Sequence, residues 1–274
     1  MDSSLLAVIL SASDIGSAAA HALKRAGLHP VLVESPAPAA TRRRMAFAGA
    51  VHAGRAELEG LEALRCAGPG EALAARERPG VIPLLPSAGL EVPPDWRLDV
   101  LVDARMRKRE RGPRLIGRAA LTVGIGPGFR AGEQVDAVIE SNWGPRLGAV
   151  LWEGGAEEYT GQHRQIEGFG NERYLYAPRG GRFRTALDVG APVRPGDIVG
   201  TVAGVPLAAM IGGVLRGLAY DGLEVGEGAK LAEIDPTGDP ANCTGIAHRP
   251  ARIAQGVVEA VRTRWPEKAG GQGA

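Results

Sequence analysis

The sequence predicts an α/β protein with a largely parallel sheet, followed by a small all-β module and a terminal helix that packs back on the first part. Three observations carry this. A strand–turn–helix–strand pattern fills residues 5–34. Further apolar runs alternate with helical stretches up to about residue 125. A glycine-marked segment at 180–202 repeats at 212–234 with an offset of 32.

The first unit begins with Leu5 to Leu10, a continuous apolar run of the kind a parallel strand buried on both faces requires. Ile15, Ala18, Ala19, Ala22, Leu23 and Ala26 follow at helical spacing, and Gly27 is placed to close that helix. Pro30 to Val33 reads as a second strand ending at Glu34. A unit of about 30 residues with an acid at the tip of its second strand has the layout of half a Rossmann domain. Strands are expected at Val81–Leu85, Leu98–Val102 and Leu121–Val123, and helices at Arg42–Ala50, with Thr41 as N-cap, and Glu71–Arg78. Alternation of this kind predicts a parallel sheet covered on both faces.

The first turn departs from a dinucleotide loop. Ser11 and Ser13 stand where glycines would make the tight turn and admit the pyrophosphate, and only Gly16 remains of the three. Asp14 adds negative charge at the helix N-terminus, where an anion would otherwise be favoured, and reads as its N-cap. Ser11, Ser13, Gly16 and Glu34 are therefore candidates for a site whose phosphate chemistry is damaged. An NAD(P)-dependent oxidoreductase remains one functional alternative, although no tyrosine–lysine pair at short spacing supplies a catalytic acid.

In the repeat, Gly180, Gly181, Arg184, Gly190, Val193 and Gly196 meet Gly212, Gly213, Arg216, Gly222, Val225 and Gly228. Each copy reads as strand, turn, turn, strand, and neither can bury its own apolar face alone. The module looks like the barrel-sandwich hybrid of biotinyl and lipoyl carriers. The joint between copies, residues 203–211, has no lysine, so neither biotin nor lipoate is expected there. Domains are expected at 1–175, 176–238 and 239–265, the last a return loop and a C-terminal helix. Residues 266–274 are expected to form a disordered tail.

Composition excludes several classes. Of 274 residues, 45% are hydrophobic and 23% charged, which is ordinary for a soluble globular chain. A net charge of +1 gives no global field for nucleic acid or membrane, and aromatics, at 4%, do not interleave the basic run. Two cysteines cannot build a disulfide framework, and no zinc spacing is present. No membrane span or basic leader is visible, so a cytoplasmic protein is expected.

Basic and glycine-rich spots cluster after predicted strand ends, where open α/β sheets bind ligands. These are Arg42 and Arg43 in "TRRR", Asp103, Arg105 and Lys108 in "DARMRKR", and Gly124, Gly126 and Gly128 in "GIGPGF". Arginine forks and backbone nests both suit phosphate. Arg107 and Arg111 read as a solvated basic face. Cys243, near His248 and Arg252, is a candidate nucleophile with a packing role as the alternative. Cys66, His21 and His52 read as structural or incidental.

Four stretches together, "PAPAATRRRMAFAGAVHAG", "DVLVDARMRKR", "LTVGIGPGFRAGEQVDAVIESNWG" and "AEIDPTGDPANCTGIAHRPARIAQGVVEAV", give a more specific signal. In them the chain resembles the YqeB-type accessory proteins of selenium-dependent molybdenum hydroxylases, a family related to the XdhC-type maturation factors through its Rossmann domain. The resemblance implies a role in maturing a molybdenum hydroxylase or handling its cofactor. The ligand it implies is the pyranopterin of that cofactor or a nucleotide. The partners it implies are the apo-enzyme or cofactor-supply proteins; homo-oligomerisation and a pure interaction scaffold stay open. The chain departs from the family pattern at Ser11–Asp14, usually G-A-G-D, and at Glu140–Pro145, usually E-T-x-R-G-H. Any activity that needs the missing arginine and histidine is in doubt.

Overall fold

The computed structural model describes residues 5–108 and 110–266. The expected tail, 266–274, lies outside the described residues apart from its first position. The chain divides into two compact units. One, the α/β unit, comprises residues up to Pro36, Ala46–Thr160 and those from Ile246 onward; the other, the β unit, comprises Ala37–Met45 and Gly161–Gly245. The division therefore falls at 160 and 245 rather than at 175 and 238, and residues 37–45 belong with the β module.

The α/β unit contains, in chain order, β1 (Ala7–Leu10), α1 (Asp14–Arg25), β2 (Val31–Glu34), α2 (Ala50–Ala53), β3 (Arg55–Leu58), β4 (Leu61–Arg65), α3 (Pro69–Ala75), β5 (Val81–Pro86), β6 (Leu98–Asp103), β7 (Ala119–Ile125), β8 (Arg130–Ala131), β9 (Ala137–Ile139), β10 (Val150–Leu151) and β11 (Gly154–Gly155). Nine strands form one sheet in the order β10-β9-β7-β6-β1-β2-β5-β4-β3. Pairing is parallel from β4 through to β9 and antiparallel only at the two edges. β1 and β2 lie at the centre, and every residue in both is buried, which is why their sequences run apolar without alternation. β8 and β11 form a separate antiparallel ribbon.

Helix α1 is alanine-rich and ends in a Schellman motif: Leu28 N–H donates to Leu23 O and Gly27 N–H to Lys24 O, with Gly27 at φ +88°. Its N-cap is Ser13, whose side chain makes no capping bond, and Asp14 is the first helical residue rather than the cap. The helix expected at Arg42–Ala50 does not form. Extended Ala46 interrupts it, leaving short 3-10 turns at Arg43–Met45 and Phe47–Gly49 before α2. The last helix of the chain, α4 (His248–Arg264), packs on α1 and on β7, β9 and β10. Ile253, Val257 and Val261 are fully buried there, each worth about 1.5–3 kcal/mol.

The β unit holds β12 (Tyr174–Tyr176), β13 (Gly181–Arg184), β14 (Pro192–Val193), β15 (Ile198–Val202), β16 (Val205–Ala208), β17 (Gly213–Leu218), β18 (Glu224–Val225) and β19 (Lys230–Asp235). They form two four-stranded sheets, β12-β19-β17-β14 and β16-β15-β13-β18. An offset of 32 maps β13, β14 and β15 onto β17, β18 and β19, and it maps β12 onto β16 as well. The short middle strands exchange partners: β14 pairs with β17 and β18 with β13. The left-handed glycines recur in pairs, Gly190 with Gly222 and Gly196 with Gly228. Even the bulge repeats: Ala208 pairs with Ile198 as Tyr176 pairs with Lys230. Phe183, Val202, Leu215, Leu218 and Ile234 lie at the centre of one shared core.

Candidate functional site

The β1–α1 turn is built to be tight and is closed by its own side chains. A Cβ on Gly16 would lie 1.9 Å from the carbonyl oxygen of Ser11, so only glycine fits there. Ser11 adopts φ +85°, the conformation glycine normally supplies. Its N–H donates to Val33 O at 2.8 Å. The Ala12 N–H donates to Glu34 Oε2 at 2.6 Å, and the Ser13 N–H to Ser11 Oγ at 3.2 Å. Glu34 is 6% exposed and also accepts from Ser35 N at 2.7 Å and Ser11 Oγ at 3.3 Å. The carboxylate that would bond a ribose in a dinucleotide site is thus committed to the turn itself. Three successive amides that could have faced a phosphate already have acceptors. Burial pushes the Glu34 carboxyl up against the effect of these donors.

At the end of β6, Asp103 is fully buried and takes the fork of Arg105, with Nε donating to Oδ1 at 2.9 Å. The Arg105 N–H also donates to Asp103 Oδ1 at 3.1 Å. Arg105 therefore braces the loop after β6. The glycines at the end of β7 and just beyond it serve packing first. A Cβ on Gly124 would lie 2.4 Å from the Phe129 ring, and one on Gly128 2.4 Å from Glu110 O. Gly126 is at φ +80° and donates its N–H to Ile139 O at 2.9 Å. An anion nest using the amide of Gly126 is therefore not formed.

What these loops do form is a cavity of about 560 Å³ between the segments following β6 and β7. Lys108, Arg111 and Arg130 line it together with Gly128, Phe129 and Tyr159. The Lys108 ammonium lies 4.7 Å from the centre of the Tyr159 ring. Arg111 and Arg130 share one carboxylate, Glu133, at 3.2 and 3.0 Å. Glu110 and Glu158 supply acids at the wall. Arg111 is solvated, as expected, with its side chain 76% exposed, and it also borders the cavity. Arg130 directly follows the GPGF word and could have been found from it; nothing in the sequence marks Tyr159.

Nearby, Glu140 is buried and accepts from Asn142 N at 2.7 Å and Glu157 N at 2.9 Å, holding the loops after β9 and β11. Trp143 stacks on His248 at 5.9 Å, and Arg249 Nε donates to Ser141 O at 2.7 Å.

Three predicted residues are engaged within the β unit. Arg42 donates from Nε and Nη2 to the buried carboxylate of Glu233 at 2.9 and 2.8 Å, alongside Arg173. Arg43 binds Asp188 at 2.7 Å and lies over the Tyr220 ring. Both are used as internal ion-pair partners, which corrects their reading as phosphate clamps. Cys243 is 1% exposed in the β unit's core, and its Sγ faces Leu215 O at 3.7 Å. Burial pushes its thiol up, which opposes thiolate formation and corrects the nucleophile reading. Cys66 is likewise buried, its thiol pushed up to about 11.

Among the described residues, no group of three or more His, Cys, Asp and Glu side chains could hold a metal ion, and no helix is long and apolar enough to cross a membrane.

No protein-family model matches the chain. It is 36% identical, over 256 residues and 93% of its length, to the uncharacterized protein YqeB of Escherichia coli K12, and it spans about half, 47%, of that relative's length. Solved structures give weak likenesses. One is a succinylglutamate desuccinylase/aspartoacylase of Rhodobacter sphaeroides, 25% identical over 26% of this chain and 23% of that one, with a TM-score of 0.23. Another is the apo ectoine utilization protein EutE (DoeB) of Ruegeria pomeroyi, 14% identical over 50% of this chain and 60% of that one, with a TM-score of 0.23. At such scores the likenesses carry no argument.

Proposed function

We propose that this protein is an accessory factor in molybdenum-hydroxylase maturation or molybdenum cofactor handling, and that it holds a phosphate-bearing ligand in the cavity beside β6 and β7. The observation that carries the ligand reading is the placement of Lys108, Arg111 and Arg130 around one cavity past the carboxyl ends of parallel strands. Two guanidinium groups sharing a single Glu133 have donors suited to a phosphate. The Tyr159 ring, over which the Lys108 ammonium lies, adds an aromatic surface to the wall. The strand order supports a Rossmann-like reading of the α/β unit: the parallel strands β5-β2-β1-β6-β7-β9 run 3-2-1-4-5-6 in order of appearance, with β4 added outside. The paired repeats of the β unit support a barrel-sandwich-hybrid reading without a carrier lysine. The resemblance in the quoted words supports the molybdenum context. The filled β1–α1 turn speaks against an NAD(P)-dependent oxidoreductase.

Calorimetry with pyrophosphate, a nucleoside diphosphate and a pterin monophosphate tests the ligand reading. Binding by the wild type and its loss in Arg111→Ala/Arg130→Ala is expected, each charge-assisted bond contributing about 1.5–3 kcal/mol. Absence of binding by all three compounds removes it. Capture of the apo-hydroxylase by the purified chain tests the partner.

A further inference from the structure

Strand β16 breaks the usual alternation of an antiparallel sheet. Its inward residues, Leu207 and then Ala209, are buried, as expected. The outward set, Pro206, Ala208 and beyond the strand Met210, is exposed and wholly apolar, where a solvated face would be polar. Ile198, the partner of Ala208, is 53% exposed and Met210 55%.

The internal repeat shows what such a face is for. The counterparts of Pro206, Ala208 and Ile198 are Tyr174, Tyr176 and Lys230. On that side the chain itself covers Tyr174, which is buried, while Tyr176 stays 42% exposed. The His163 ring lies 3.9 Å from the Tyr174 ring, tilted by 32°, and meets the Tyr176 hydroxyl at 3.1 Å. Thr41 O accepts the N–H of Leu218, and Arg42 neutralises Glu233. The second sheet presents Thr201 at the position of Glu233, and its matching face is exposed.

We propose that the face of β16 and Ile198 is a docking surface for a second copy of this chain, related by a two-fold axis. Two observations select this occupant. Pro206, with no N–H to give, stands on the edge strand, which disfavours strand addition and leaves packing of face on face. On the same sheet the charges flanking the patch pair with each other, Arg182 with Glu224 and Arg184 with Asp221. A neutral rim around an uncharged centre is complementary to itself, as an isologous contact demands.

Sedimentation equilibrium across the micromolar range tests this. The wild type should associate to a dimer, and Ile198→Asp and Met210→Asp should each weaken the dimer by about tenfold or more, since a charge would be buried at the contact, with unchanged far-ultraviolet circular dichroism. Hydrogen exchange of the wild type, compared between dilute and concentrated samples, should show protection rising at 198–210 and provides a check that needs no variant. A chain that stays monomeric, or a dimer indifferent to both substitutions, overturns the proposal.

Discussion

The carboxylate of Glu34 stands 2.6 Å from the backbone nitrogen of Ala12, so the tip of β2 closes the turn between β1 and α1. Glu34→Gln turns an amide N–H toward one of the surrounding donors and leaves it unpaired, a loss of about 1–3 kcal/mol. Burial raises the Glu34 pKa above its ordinary 4.5. The folded state therefore binds this proton more tightly than the unfolded chain does. The resulting contribution is full below about 4.5 and is lost as pH rises through the folded value. Urea titrations should show the stability difference, wild type minus variant, shrinking as pH rises from 4.5 toward neutral. A difference that grows over that interval contradicts the assignment.

Gly16→Ala places a methyl group against the Ser11 carbonyl, at a distance no rotamer relieves. Displacement of α1 or of the turn should cost about 1–3 kcal/mol, read as a lower denaturation midpoint.

Substituting glycine for both Ser11 and Ser13 restores the look of a dinucleotide turn but leaves Ala12 N–H on Glu34. NAD binding measured by calorimetry should not appear in this double variant. Micromolar affinity would show that the serines alone had blocked the site.

In the β unit, Arg42→Ala strips a bidentate partner from the fully buried Glu233, a change expected to cost about 3 kcal/mol or more. Burial alone would raise the Glu233 carboxyl; the charges of Arg42 and Lys230 outweigh it and hold the group well below the carboxylate range. For a depressed acid the contribution is present above the ordinary pKa and lost as pH falls through the folded value. Acid unfolding followed by near-ultraviolet circular dichroism should begin at higher pH in Arg42→Ala. An unchanged acid limb would contradict this role.

The sequence was most legible where one residue type served one purpose. The unbroken run at Ala7–Leu10, Gly27 after α1, and the glycines repeated every 32 residues each appear in the structure in the conformations those residues favour. The β3–β4 hairpin was missed because its left-handed turn is Glu59–Gly60, without the Asn-Gly or Asp-Gly signal. The equivalence of β12 and β16 was hidden because "YLYAP" and "PLAAM" share little except the buried Leu175, Leu207, Ala177 and Ala209. Basic residues were the least legible. Arg42 and Arg105 looked like phosphate ligands, but their acceptors, Glu233 far along the chain and Asp103 close by, emerge only with the fold.

In the proposed reading, a phosphate-bearing ligand sits beside β6 and β7 and not on the β1–α1 turn. Hydrogen–deuterium exchange with and without saturating pyrophosphate tests it most directly. Slowed exchange at 105–108, 110–112, 126–130 and 155–159, with residues 11–16 unchanged, is the predicted result. Slowed exchange confined to 11–16, or no change in either region, would contradict it.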